Sequence, residues 1–92
     1  MAHERFGGCM PVVAIVDGVK IAFYANEHPP AHFHATIAEH RAVIDIVALT
    51  ITAGSLPAAK RGKVLAWAAS RRGLLLERFA AAIAHEKVEP IE

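Results

Sequence analysis

The chain has 92 residues, of which 54% are hydrophobic and 21% are charged, and its formal net charge is +1 with neutral histidines. This composition excludes an intrinsically disordered chain, and the charge is too small to demand a nucleic-acid partner, although it permits one. The length allows one small domain, whose core is marginal, so we expect a homodimer. A single cysteine, Cys9, excludes an internal disulfide and fits a reducing cytoplasm.

The N-terminal segment has few polar side chains before two glycines and lacks the charged-then-apolar pattern of a signal peptide. We interpret residues 1–9 as a flexible N-terminal extension and residues 10–92 as a single α+β domain. No apolar run reaches the length of about 20 residues that a membrane span needs, so we expect no membrane partner.

The first half of the domain predicts an antiparallel meander, because apolar or alternating segments are separated by turn residues. These segments are 12–16 (VVAIV), 19–26 (VKIAFYAN), 32–37 (HFHATI), 41–48 (RAVIDIVA) and a short fifth strand near Ile51. Asp17-Gly18 predicts a type I′ hairpin turn between the first two strands, since glycine readily takes a positive φ. Pro29-Pro30 ends the second strand, because proline has no N–H to donate to a neighbouring strand.

The second half predicts two helices. Residues 55–57 (Ser-Leu-Pro) are typical of a helix start, because serine can cap the first turn and proline fits within it. This helix should run to about Arg72 and end near Gly73, and a second helix should cover 74–85. The fold prediction is therefore α+β: an antiparallel meander of four to five strands, followed by two C-terminal helices packed on one face.

The segment HPPAHFHA, residues 28–35, contains three of the six histidines of the chain. His32 and His34 are two residues apart on a predicted strand, so their side chains leave the same face about 7 Å apart, and Phe33 between them should be buried. His28 precedes the proline pair, which restricts the loop and can hold His28 near the other two. Three histidines with one open position are typical of a catalytic zinc site.

Four interpretations of this segment stay open. His28, His32 and His34 bind a divalent metal such as zinc; His32 and His34 act as a metal-free general acid and base; the three histidines bind an anion when protonated; or they are solvent-facing strand residues. The spacing of the histidines permits each of these, so the cofactor is unknown from the sequence.

Four further residues are weaker candidates for the same site. Tyr24 and Asn26 share one face of the neighbouring strand, where Tyr24 could donate a hydrogen bond to a developing negative charge and Asn26 could bind a ligand. Lys60 and Lys63 lie in the basic part of the first helix and could contact phosphates. The alternatives are an ordinary half-exposed tyrosine on a sheet and a solvated basic helix face.

The segment MPVVAIVDGVKIAFYANEHPPAHFHA, followed by RAVIDI, by LP and by a helix carrying Trp67, resembles the bacterial domain-of-unknown-function family 4160 (DUF4160) over residues 10–92. The most specific features are the proline-flanked H-F-H and the following I-D-I. Met10 matches the usual start of family members, which supports an extension over residues 1–9. The resemblance implies a small cytoplasmic bacterial protein without an established activity, whose gene neighbours suggest a toxin–antitoxin-like arrangement.

Two hypotheses for the function follow. The first is a toxin–antitoxin-like component that acts on or binds nucleic acid through a site formed by His28, His32 and His34. The second is a non-catalytic metal- or ligand-binding module that binds a small partner protein encoded by a neighbouring gene. The sequence names neither a substrate nor a reaction, so it leaves open whether the protein is an enzyme.

Overall fold

The computed structural model describes residues 12–91, so the extension predicted over residues 1–9 lies outside the described residues. The elements follow one another as strands and then helices. They are β1 (Val12–Val16), β2 (Val19–Ala22), β3 (His32–Ile37), β4 (His40–Asp45), β5 (Thr50–Gly54), α1 (Ala58–Ala69) and α2 (Arg72–Ile83).

The strands form one sheet in which each strand pairs antiparallel with the next along the chain, in the order β1-β2-β3-β4-β5. The β1–β2 turn has φ values of 51° at Asp17 and 86° at Gly18, the two positive φ angles that a type I′ turn requires. The predicted α+β fold, a five-stranded antiparallel meander followed by two C-terminal helices, is confirmed.

One face of the sheet and the two helices enclose the hydrophobic core. Alternation along β3 buries Phe33 completely and leaves His32 and His34 on the other face, as predicted. The Phe33 ring packs edge-on against Trp67 of α1, with 6.4 Å between ring centroids. The buried residues come from both layers, and the largest fully buried side chains are Phe23, Phe33, Ile21, Ile44, Ile46, Leu75, Val19 and Val64.

Two helix boundaries differ from the prediction. Ser55 does not cap α1, because the N-cap position is two residues later, at Pro57. The backbone N–H of Ser55 instead donates to the carbonyl of Arg41 at 2.9 Å and continues the β4–β5 pairing. The helix begins at Ala58, after Pro57. Gly73 lies in the first turn of α2 instead of ending α1, since the chain turns earlier, at Ser70, whose hydroxyl donates to the carbonyl of Trp67 at 3.1 Å.

The segment after α2 returns to the sheet and covers part of its edge. The backbone N–H of Ile91 donates to the carbonyl of Val13 in β1 at 2.7 Å, and the Ile91 side chain is buried in the core. Arg78 of α2 donates to the carbonyl of Glu89 at 2.9 Å and holds this segment against the helix. Neither helix within residues 12–91 has the length and apolar character needed to cross a membrane.

Candidate functional site

The candidate site lies where the loop after β2 meets the first residues of β3. The loop carries Glu27 and the proline pair, and β3 carries His32 and His34. The two histidines are two residues apart on a strand, so both imidazoles leave the same side of β3. The His32 ring also reaches the second helix, where it lies 5.2 Å from the ring of Phe79. Both are only partly exposed, with 13% of the His32 side chain and 21% of the His34 side chain accessible to solvent.

Three potential metal ligands converge here. Nε2 of His32 is 2.5 Å from Oε1 of Glu27, and Nε2 of His34 is 3.6 Å from the same oxygen. The three donor atoms all lie within 4.8 Å of one another. One carboxylate and two imidazoles therefore form a compact group, which we call the Glu27–His32–His34 cluster.

The hydrogen bonds of His32 show which of its ring nitrogens carries a hydrogen. Nδ1 of His32 is 2.8 Å from the carbonyl oxygen of Pro30, and a carbonyl oxygen only accepts, so Nδ1 carries a hydrogen and donates it. In a neutral imidazole Nε2 is then a bare acceptor, and it faces the carboxylate oxygen of Glu27, another acceptor. Two acceptors at 2.5 Å need a proton between them, and a metal ion can replace that proton only if the two atoms move apart.

His34 occupies an enclosed position beside His32. Its ring meets Tyr24 edge-on, with 4.2 Å between ring centroids, and its Nε2 is buried with no hydrogen-bond partner among residues 12–91. Burial lowers the pKa of His34, and the nearby carboxylate of Glu27 opposes this shift without cancelling it. His34 therefore favours the neutral form, which is the form that coordinates a metal ion.

The carboxylate of Glu27 is ionised in this setting. Burial acts to raise its pKa, but the hydrogen bond with His32 and the two neighbouring imidazoles outweigh burial, so the pKa of Glu27 lies below its usual value. An ionised carboxylate and a neutral histidine side by side are the protonation states that a divalent metal requires.

A comparison with protein families matches this chain to the family described as "Domain of unknown function (DUF4160)" over residues 18–80. The chain belongs to this family. Neither the curated proteins nor the solved structures gave a match. The match confirms the family that the sequence resembles, and it covers the sheet from β2 onwards, the proline pair, the Glu27–His32–His34 cluster, all of α1 and most of α2.

Within this DUF4160 domain, the structure brings two of the three predicted metal ligands together and adds a different third residue. His32 and His34 lie in the cluster, whereas His28 is exposed and is not one of the three grouped ligands. His28 instead lines a neighbouring open pocket with Asn26, and Glu27 borders both this pocket and the cluster. The assignment of His28 to a metal, and of Asn26 to a ligand, stays a prediction.

The two lysines proposed as phosphate contacts have a structural partner. Nζ of Lys60 donates to the carboxylate of Asp17 at 3.0 Å and to its carbonyl at 2.9 Å, and Nζ of Lys63 lies 3.8 Å from the same carboxylate. These contacts join the start of α1 to the β1–β2 turn. Any role of Lys60 and Lys63 in ligand binding also stays a prediction.

Tyr24 and His34 also line a pocket of about 460 Å³. This pocket lies on the sheet face that the helices leave uncovered, and it includes Thr36 of β3 and Arg41 of β4. Sequence reasoning placed Tyr24 beside the histidines, and the ring contact between Tyr24 and His34 agrees with that placement. Glu27 and Arg41 were not among the predicted site residues.

Proposed function

We propose that this DUF4160 domain binds a divalent transition metal, with zinc as the best match, through Oε1 of Glu27 and the Nε2 atoms of His32 and His34. The observation that carries the proposal is the pair of facing acceptors, Nε2 of His32 and Oε1 of Glu27, at 2.5 Å. A metal ion bound by both atoms takes the place of the proton that otherwise joins them.

The donor set and its spacing support zinc. Two imidazoles and one carboxylate are ligands that zinc accepts, and Zn–N and Zn–O bonds of about 2.0–2.2 Å separate tetrahedral ligand atoms by about 3.4 Å. The 3.6 Å between His34 Nε2 and Glu27 Oε1 is already near that separation. The 2.5 Å between His32 Nε2 and Glu27 Oε1 has to widen, and Glu27 lies in a loop where its side chain can move.

The surroundings also suit a metal centre. The Pro30 carbonyl accepts the hydrogen of His32 Nδ1, which fixes the tautomer that presents Nε2 to the metal. Three protein ligands leave the fourth position of a tetrahedral zinc ion for water or a ligand. Since His34 also lines the 460 Å³ pocket, a ligand in the pocket lies beside the proposed centre.

The alternatives carry less support. A proton between His32 and Glu27 would make the cluster a metal-free acid–base pair. The toxin–antitoxin-like role on nucleic acid also needs phosphate contacts beside the histidines, and the two candidate lysines, Lys60 and Lys63, instead approach Asp17. The second hypothesis, a metal- or ligand-binding module that binds a partner protein, agrees better with the cluster. We retain the cytoplasm as the proposed location, since a single cysteine permits no internal disulfide.

Metal titration of matched variants tests the proposal. Isothermal titration of the metal-free protein with zinc should give one site, and titration with cobalt should give the visible absorption of a tetrahedral centre. Glu27→Gln and His34→Ala should each weaken zinc binding by tenfold or more, because each removes a ligand. His28→Ala should leave the affinity unchanged, and His40→Ala, remote in the β3–β4 turn region, serves as a control for histidine removal.

Each result has a defined meaning. If His28→Ala weakens binding while Glu27→Gln does not, the metal is held by the three histidines and the Glu27 assignment is wrong. If the wild type binds neither zinc nor cobalt, the cation between Glu27 and His32 is a proton, and the metal-free pair becomes the better description of the site.

A further inference from the structure

The pocket on the uncovered face of the sheet is lined by a positively charged side chain, Arg41, that forms no ion pair within residues 12–91. Arg41 of β4 is exposed and lines this pocket, and its guanidinium has no hydrogen bond or ion pair with any residue in 12–91. Other cations of the domain are engaged: Lys60 with Asp17, and Arg78 with the Glu89 carbonyl. Arg41 is therefore free to bind something from solution.

The register of the strands gives Arg41 suitable neighbours. Thr36 pairs with Arg41 across β3–β4 and with Lys20 across β2–β3, so these three side chains form one row on the uncovered face. Directly opposed residues have Cβ atoms about 5 Å apart, so the Thr36 hydroxyl lies between two cations. None of the residues that line the pocket has a carboxylate. This end of the pocket is positively charged and offers a hydroxyl donor.

The rest of the pocket is less polar and extends towards the proposed metal centre. His34 and Val43 form the next row, one strand repeat of about 7 Å from Thr36 and Arg41. The Tyr24 ring packs on His34 beyond this row. A ligand that fills the pocket thus meets charge at one end and aliphatic and aromatic surface at the other.

We propose that this pocket binds a small organic molecule with an oxyanion, a carboxylate or a phosphate monoester, whose charged group is bound by Arg41 and Thr36. A guanidinium donates two parallel hydrogen bonds to such groups, and its charge strengthens them. The apolar body of the molecule packs against Val43 and Tyr24. The volume of about 460 Å³ lies within the range of small-molecule pockets. This inference needs no metal at the Glu27–His32–His34 cluster.

Nuclear magnetic resonance titration of the metal-free protein tests this proposal. A chelator removes any bound metal first, and it is then dialysed away because chelators such as EDTA are polycarboxylates and would compete for the pocket. The probes are phenyl phosphate and benzoate, with benzyl alcohol as the uncharged counterpart. At least one anion should give saturable shifts at the backbone amides of Thr36, Arg41 and Gly54, and benzyl alcohol should give none. The anion that binds more tightly shows whether the pocket prefers a phosphate monoester or a carboxylate.

Two charge-matched variants separate this site from general attraction of anions. Arg41→Gln should weaken binding of the anion by about tenfold or more, because it removes a charge-assisted pair of hydrogen bonds. It should leave the fold unchanged, since the guanidinium has no partner within residues 12–91. Arg61→Gln removes the same charge from an exposed position on α1 and should have no effect.

Three results would overturn the inference. These are no saturable shift with either anion, equal weakening by Arg61→Gln and Arg41→Gln, or tighter binding of a short oligouridylate at the same amides, which would mark a nucleic-acid surface. Because the metal is absent throughout, failure here leaves the zinc proposal standing. A failed zinc titration likewise leaves this inference standing.

Discussion

Replacing Gly54 by alanine should destabilise the domain by about 2–4 kcal/mol. Gly54 has a φ of 75°, and a Cβ added there would lie 2.0 Å from the carbonyl oxygen of Arg41. A non-glycine residue in this left-handed region costs about 1–2 kcal/mol. To relieve the overlap, β5 must move away from β4, which breaks the hydrogen bond from Ser55 N–H to Arg41 and weakens its neighbours, at about 0.5–1.5 kcal/mol each.

Gly62 provides the matched control. It lies in the middle of α1, and a Cβ added there meets no atom within 4 Å. Gly62→Ala should therefore stabilise the domain by about 0.8–1.0 kcal/mol through helix propensity alone. Urea unfolding followed by the fluorescence of Trp67, the only tryptophan, measures both variants. If Gly54→Ala unfolds within about 0.5 kcal/mol of the wild type, β5 is not closed against Arg41 in solution and the reasoning fails.

Three further outcomes are expected. Replacing Pro29 and Pro30 by glycine should weaken zinc binding by roughly tenfold per residue freed, because the loop must then be ordered on binding. The thermal melt should stay largely unchanged, and an unchanged zinc affinity would contradict this prediction. The hydrogen bond from the neighbouring lysine lowers the pKa of Asp17, so its stabilisation is present at neutral pH and is lost as the pH falls through that lowered value. The unfolding curves of the wild type and Asp17→Asn should therefore differ at pH 7 and converge only when the pH falls below the lowered pKa of Asp17. Light scattering at high micromolar concentration should give a dimer mass, since Ile15 and Val47 are 66% and 64% exposed, and a monomer mass would refute the assembly.

The fold was predictable from the sequence because each strand has one buried face. Alternation fixes which side chains face the core, so the burial of Ile21, Phe33 and Ile44 follows from the sequence pattern alone. Element ends were less predictable, because local signals compete with tertiary hydrogen bonds. Ser55 has the side chain of a helix cap, but its backbone N–H bonds to the neighbouring strand, and that choice depends on where β5 pairs with β4.

The candidate site was predictable where it lies on a strand and unpredictable where it lies on a loop. His32 and His34 share a face because a strand repeats every two residues, whereas the direction of Glu27 depends on every backbone angle between Ala22 and His32. The proline pair supplied a signal, and the structure adds a contact that the sequence did not indicate: the Pro30 carbonyl orients His32 directly. A search for such sites should therefore include an H-x-H strand that has a carboxylate residue five positions, and a proline two positions, before its first histidine. In this chain it selects Glu27 over the adjacent His28, because only the Glu27 oxygen reaches both imidazoles.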